Sequence, residues 1–106
     1  MITIDDFKKV ELAVAQIKEV KEHPNADRLY VLKVDIGGEE RQIVAGIRLS
    51  YPKESLVGRR VVVVKNMQPA VIRGEESQGM LLAATDDQGM SIVATDRDVK
   101  LGSIVK

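Results

Sequence analysis

A chain of 106 residues with 44% hydrophobic and 30% charged side chains can build one hydrophobic core, which predicts a single soluble domain over residues 1–106. Its 16 basic and 16 acidic residues cancel, so a uniformly basic nucleic-acid binder is excluded and any phosphate-binding surface must be a local patch. The lack of cysteine excludes disulfide and thiolate-metal frameworks and fits the cytoplasm, while no apolar run approaches the roughly 20 residues of a membrane span and residues 1–6 lack the features of a signal peptide.

Thr3 or Asp5 can cap a short helical turn holding Asp6, Phe7, Lys8 and Lys9. Phe7, the only phenylalanine, reads as a plug for one end of the core or for a subunit interface. From Val10 the pattern alternates, with Val10, Leu12 and Val14 on one face and Glu11, Ala13 and Ala15 on the other, and Ile17 falls out of phase. A period of two predicts a strand, and the slip near Ala15 and Gln16 predicts a bulge that bends it. His23-Pro24-Asn25-Ala26-Asp27 is a turn signal: Pro24 fixes its own torsion, and Asn25 and Asp27 can bond nearby backbone. Residues 28–36 read as a second strand, with Tyr30, Leu32, Val34 and Ile36 on one side and Lys33 and Asp35 on the other. Gly37-Gly38 predicts a two-residue hairpin into a third strand over residues 40–45, because both central positions of a type I′ turn need positive φ.

Between Gly46 and Gly58, Pro52 suits a first helical position and Gly58 a stop, which predicts one short helix. Residues 59–65 form a fourth strand whose run Val61-Val62-Val63-Val64 implies burial on both faces. A polar segment broken by Pro69, Gly74 and Gly79 then leads to a fifth strand over residues 80–85. Asp86-Asp87-Gln88-Gly89 is a further turn, followed by an appended strand near residues 91–94 and a C-terminal extension. Five strands, one helix between the third and fourth, and additions at both ends predict an all-β, five-stranded Greek-key barrel of the OB type, with an SH3-like barrel as its nearest rival.

Catalytic signals are missing. His23, the only histidine, reads as an exposed turn residue, and with no cysteine or second histidine it cannot build a nitrogen-sulfur zinc site. The acidic pairs Asp5-Asp6, Glu39-Glu40, Glu75-Glu76 and Asp86-Asp87 sit at turns or termini, where two solvated carboxyls lack the contrasting environments that acid–base catalysis requires. Ser50, Ser55 and Ser77 have no nucleophile elbow, and no phosphate-binding G-x-x-x-x-G-K occurs. The expectation is a chain that is not an enzyme, with no metal and no cofactor. The stretch from Lys65 to Ala84 does hold binding ingredients: a guanidinium, a hydroxyl, an amide, a thioether and backbone freed by glycine, in a connection between two buried strands.

Residues 6–12 (Asp-Phe-Lys-Lys-Val-Glu-Leu), 23–30 (His-Pro-Asn-Ala-Asp-Arg-Leu-Tyr), 41–47 (Arg-Gln-Ile-Val-Ala-Gly-Ile) and 72–80 (Ile-Arg-Gly-Glu-Glu-Ser-Gln-Gly-Met) together resemble the tRNA-binding domain family. This family includes the C-terminal domain of many methionyl-tRNA synthetases and stand-alone tRNA-binding proteins. The likeness covers nearly the whole chain, and Ser77-Gln78-Gly79-Met80 is its most specific part. It implies an OB barrel that binds tRNA by shape and backbone with little sequence preference, usually as a homodimer, with the catalytic body of methionyl-tRNA synthetase as a further partner and no membrane. A start at Met1 fits either an excised domain or a separate subunit. The resemblance assigns tRNA contacts to Asn66, Arg73, Ser77, Gln78, Gly79 and Met80, with Arg28, Lys33, Arg41, Arg48 and Lys65 as further cations. Ala13, Gln68 and Val71 stand where the family often has a basic residue, and Ala45 replaces a common serine, which predicts weak binding by one copy and a gain from two linked copies. A dimerisation module, or a peptide-binding chaperone on the same barrel, is the alternative.

Overall fold

A computed structural model describes residues 1–106. The first element is the turn α1 (Ile4–Phe7), capped by Thr3: its hydroxyl accepts the Asp6 N–H, and the Asp6 carboxylate accepts the Thr3 N–H. Phe7 stays outside the core and lines a cleft with Ile4, Val10, Leu12, Ile104 and Val105.

Strand β1 (Leu12–Glu22) organises the barrel, because its first half pairs with β4 (Arg60–Val64) and its second half with β2 (Tyr30–Asp35). The bulge that separates the halves falls between Ile17 and Glu19, later than the sequence pattern suggests. The alternation leaves open which face is inside. Ala13, Ala15 and Ile17 are in phase with one another and point into the barrel, while Val14 is buried from outside by the C-terminal segment, donating its N–H to Ser103 O and accepting from Gly102. What a strand buries is decided by which layer covers each face, and both faces of β1 are covered here.

β2 and β3 (Glu40–Ala45) form the hairpin expected from Gly37-Gly38, with φ of 71° and 99° at the two glycines. Past Ala45 the expected helix is only a 3₁₀ turn over Lys53–Ser55; Pro52 precedes it as the cap, and Gly58 ends the connection at φ 91°. β4 carries the four valines, all buried: Val61 and Val63 face the core and Val62 and Val64 face outward.

The segment after β4 departs most from the sequence reading. It is a separate two-stranded hairpin, β5 (Ala70–Ile72) and β6 (Glu75–Ser77), turning at Arg73 and Gly74 with φ of 52° and 92°. The expected fifth strand is also divided. β7 (Met80–Leu81) pairs with β4, whereas β8 (Ala83–Asp86) leaves the sheet and pairs with β9 (Gly89–Ile92). A last short strand, β10 (Ile104–Val105), adds to the start of β1.

The main sheet runs β3-β2-β1-β4-β7, and contacts between β3 and residues 77–78 nearly close it into a mainly antiparallel OB-like barrel. Its interior holds Ile17, Leu32, Val34, Ile43, Ile47, Leu56, Val61 and Val63, with Tyr30 as the one aromatic ring. Each large aliphatic side chain so buried contributes roughly 1.5–3 kcal/mol. The Tyr30 hydroxyl donates to Tyr51 O at 2.6 Å, so this polar group enters the core satisfied.

Candidate nucleic-acid interface

The β5–β6 hairpin and the turn after β1 are tied into one structure by His23. This side chain is only 3% exposed, correcting the expectation of an exposed turn histidine. Nδ1 accepts the N–H of Asn25 at 3.0 Å, and Nε2 donates to the carbonyl of Ile72 at 2.9 Å. Only the neutral ring with its proton on Nε2 satisfies both bonds. Asn25 adds a second tie, its amide donating to Arg73 O at 3.3 Å. Lys21 on β1 meets Glu75 on the hairpin at 3.6 Å, a further tie between the two.

These ties bring Arg28 and Arg73 to the walls of the same open hollow of about 420 Å³, which Asn25, Ala26, Asp27 and Leu29 complete. Both guanidinium groups are exposed, and neither enters a side-chain hydrogen bond or ion pair within the chain. Arg73 also occupies the left-handed region at φ 52°, where a side chain other than glycine, asparagine or aspartate is uncommon. A strained arginine at a hairpin tip points to a role for its side chain beyond the fold.

The remaining expected cations divide by what already holds them. Lys33 projects from β2 into solvent without a partner. Arg41 is committed to the barrel: its guanidinium bonds Glu39 at 3.1 Å, donates to Lys65 O, and reaches Gln78 O at 3.4 Å. Arg48 bonds Glu22 at 2.8 Å and Ala26 O at 3.2 Å, which braces the turn that carries Arg28. Lys65 approaches Glu11 at 3.9 Å. Asn66 grips the N-terminal segment, accepting from Glu11 N–H at 2.9 Å and donating to Lys9 O at 2.7 Å.

The Ser-Gln-Gly-Met segment turns its polar atoms inward. The Ser77 hydroxyl accepts from Val44 N–H and donates to Gly79 O, both at 3.0 Å. The Gln78 side-chain oxygen accepts from Gln42 N–H at 3.0 Å, and the Gln78 backbone N–H donates to Gln42 O at 2.7 Å. Gly79 is buried with φ 147°, and a Cβ there would lie 2.9 Å from Val64 O. Met80 remains exposed beside them, as do Gln68 and Val71. Ala13 and Ala45, by contrast, lie in the core, where a charged or polar replacement would meet apolar walls rather than a ligand.

The barrel, its inserted hairpin and the segments flanking both match one known family: residues 12–104 fit the tRNA binding domain. The chain belongs to the tRNA-binding domain family. Over 105 residues this family member is 50% identical to a methionine-tRNA ligase of Thermococcus kodakarensis, a match that takes in 99% of this chain and 14% of that protein. It therefore spans about one seventh of the length of that relative. Among solved structures it is similar to a MetRS related protein from Pyrococcus horikoshii, with 34% identity and a TM-score of 0.92 over 100% of this chain and 98% of the other. It is also similar to the CsaA chaperone protein from Picrophilus torridus, with 28% identity and a TM-score of 0.94 over the whole of both chains. No helix is long and apolar enough to cross a membrane.

The sequence supplied the cations and the Ser-Gln-Gly-Met segment but missed His23 as the residue that registers the two loops. His-Pro-Asn signalled a turn. Nothing local indicated that the ring is paired to a carbonyl 49 positions away.

Proposed function

We propose that the chain is a non-catalytic tRNA-binding module of the cytoplasmic translation apparatus, serving methionyl-tRNA synthetase as its C-terminal appendage or as a separate subunit. The observation that carries this reading is the pair Arg28 and Arg73, unpartnered and brought to one hollow by the His23 and Asn25 ties. Two guanidinium groups on a braced platform suit phosphates on adjoining parts of an RNA backbone. The site offers no aromatic ring, since Phe7, Tyr30 and Tyr51 all lie elsewhere, so it favours recognition by shape and backbone over base readout. Lys33 adds charge along β2, and Met80 supplies an apolar contact at the hairpin base. Ser77, Gln78, Gly79, Arg41, Arg48, Lys65 and Asn66 serve this surface by holding its backbone in place.

Titration of labelled tRNA at several salt concentrations tests the assignment, comparing the wild type with the Arg28→Gln, Arg73→Gln double variant. Loss of two phosphate contacts lowers the slope of log K against log salt by about 1.4–1.8. Identical affinity and slope in both proteins would remove the hairpin end from the interface.

Homodimerisation is the second part of the proposal, supported by the cleft between α1, the start of β1 and β10, where Ile4 and Ile104 are 65% and 76% exposed. Two copies joined there would raise tRNA affinity through effective concentration. Light scattering that finds only monomer at high micromolar concentration would reject the dimer and leave the RNA site standing.

A further inference from the structure

The C-terminal segment crosses the outside of β1 at the end opposite the hairpin. It is held by the Val14 bonds to Ser103 and Gly102, by the β10 pairing, and by Arg60, whose Nε donates to Val99 O at 3.1 Å. Between this segment and β1 lies an open hollow of about 600 Å³. Arg97, Lys100 and Lys106 line it over a floor that includes Val14 and Val99, and no acidic side chain takes part. Asp98, the acid between the first two cations, is turned to Arg60 at 3.5 Å. That pairing leaves Arg97 and Lys100 exposed and without an ion pair or side-chain hydrogen bond. Asp96, next to Arg97 in sequence, lies outside the lining, so the only charged side chains on the hollow's walls are the cations Arg97, Lys100 and Lys106.

We infer that Arg97 and Lys100 form a second phosphate-binding site, which takes the sugar-phosphate backbone of the same RNA that the hairpin end binds. The hollow is wide and open, and its cations stand on flexible stems. Successive phosphates of a polyanion suit that arrangement better than one enclosed small anion does. Val14 and His23 mark opposite ends of β1, on the order of 25–30 Å apart at roughly 3.3 Å per residue. B-form DNA, rising about 3.4 Å per base pair, would need about eight or nine pairs to reach from one site to the other, and an A-form RNA duplex, with its smaller rise, needs somewhat more. A folded RNA with a long helical arm spans both sites, and a fragment of four base pairs engages one at a time.

This inference rests on the tRNA-binding reading, and the test separates the two. Full-length tRNA is titrated across salt with the wild type, with Arg97→Gln, Lys100→Gln, and with Arg28→Gln, Arg73→Gln, while thermal melts confirm that each variant is folded. Arg97 and Lys100 bond the rest of the chain only through their backbone carbonyls, so their replacement leaves the fold intact. The expected result is a salt slope reduced by about 1.4–1.8 for either pair, with affinity at low salt reduced about tenfold. If Arg97→Gln, Lys100→Gln binds tRNA with unchanged affinity and slope while Arg28→Gln, Arg73→Gln is impaired, the second site is overturned and the hairpin site stands. The reverse pattern keeps the C-terminal site and removes the hairpin site. A wild type with no salt-dependent tRNA binding overturns both.

Discussion

Ser77 joins the inserted hairpin to the barrel by accepting the backbone N–H of Val44 at 3.0 Å, a donor on the free edge of β3 that no ladder partner takes. The hydroxyl then donates to Gly79 O, so both ends of a buried polar group are satisfied. Replacing Ser77 by alanine leaves Val44 N–H buried and unpaired, a cost of about 1–3 kcal/mol. Ser77→Ala is expected to lower the denaturation midpoint while the folded fraction keeps most of its tRNA affinity. Chemical denaturation and tRNA titration on the same preparation check both halves.

Gly79 has a second reason to be glycine. At φ 147° with Val64 O only 2.9 Å from a built Cβ, alanine must push the end of β4 away from β7. Gly79→Ala is therefore expected to cost more than Ser77→Ala. A thermal midpoint at or above that of Ser77→Ala would contradict the crowding argument.

Arg73 and Arg41 should respond in opposite ways. Arg73 sits at φ 52° with an unpartnered side chain, and asparagine adopts that torsion more readily, so Arg73→Asn is expected to leave stability unchanged or raise it by up to about 1 kcal/mol. The same change weakens tRNA binding. Arg41→Ala removes a guanidinium that bridges β3 to Lys65 O and Gln78 O, which lowers stability with little change in the salt slope. Parallel melting and binding curves for the two variants decide the matter.

His23 is expected to act as a positioning residue. In His23→Ala the Asn25 N–H loses its acceptor and Ile72 O its donor, which leaves the hairpin held to the turn that carries Arg28 only by the exposed Asn25–Arg73 O bond. The coupling between Arg28 and Arg73 is then weakened. A double-mutant cycle for tRNA binding should show coupling between them in the wild type and less than about 0.5 kcal/mol in the His23→Ala background.

Asn66 tethers the N-terminal segment through Glu11 N–H and Lys9 O. Asn66→Ala should speed amide exchange over residues 4–11 while β2 and β4 remain protected. Because α1 forms one wall of the apolar cleft, the same variant should weaken self-association, as read by light scattering over a concentration series.

The sequence alone determined the features that local chemistry dictates. Two adjacent glycines needed positive φ and made a hairpin; four consecutive valines needed cover on both faces and became a central strand. The zero net charge confined any phosphate site to a patch, and the motif order pointed to the family. Only the tertiary structure decided what depends on partners distant in the chain. It set which face of β1 is inside, because Val14 is buried by a segment some ninety residues later. It turned Ser77 and Gln78 toward β3, and it paired His23 with Ile72. Composition shows which side chains carry charge or polar groups; which of them remain free for a ligand is fixed by the hydrogen bonds that folding has already claimed. By that criterion Arg28, Arg73, Arg97 and Lys100 are free, whereas Arg41, Arg48, Asn66 and Ser77 are occupied.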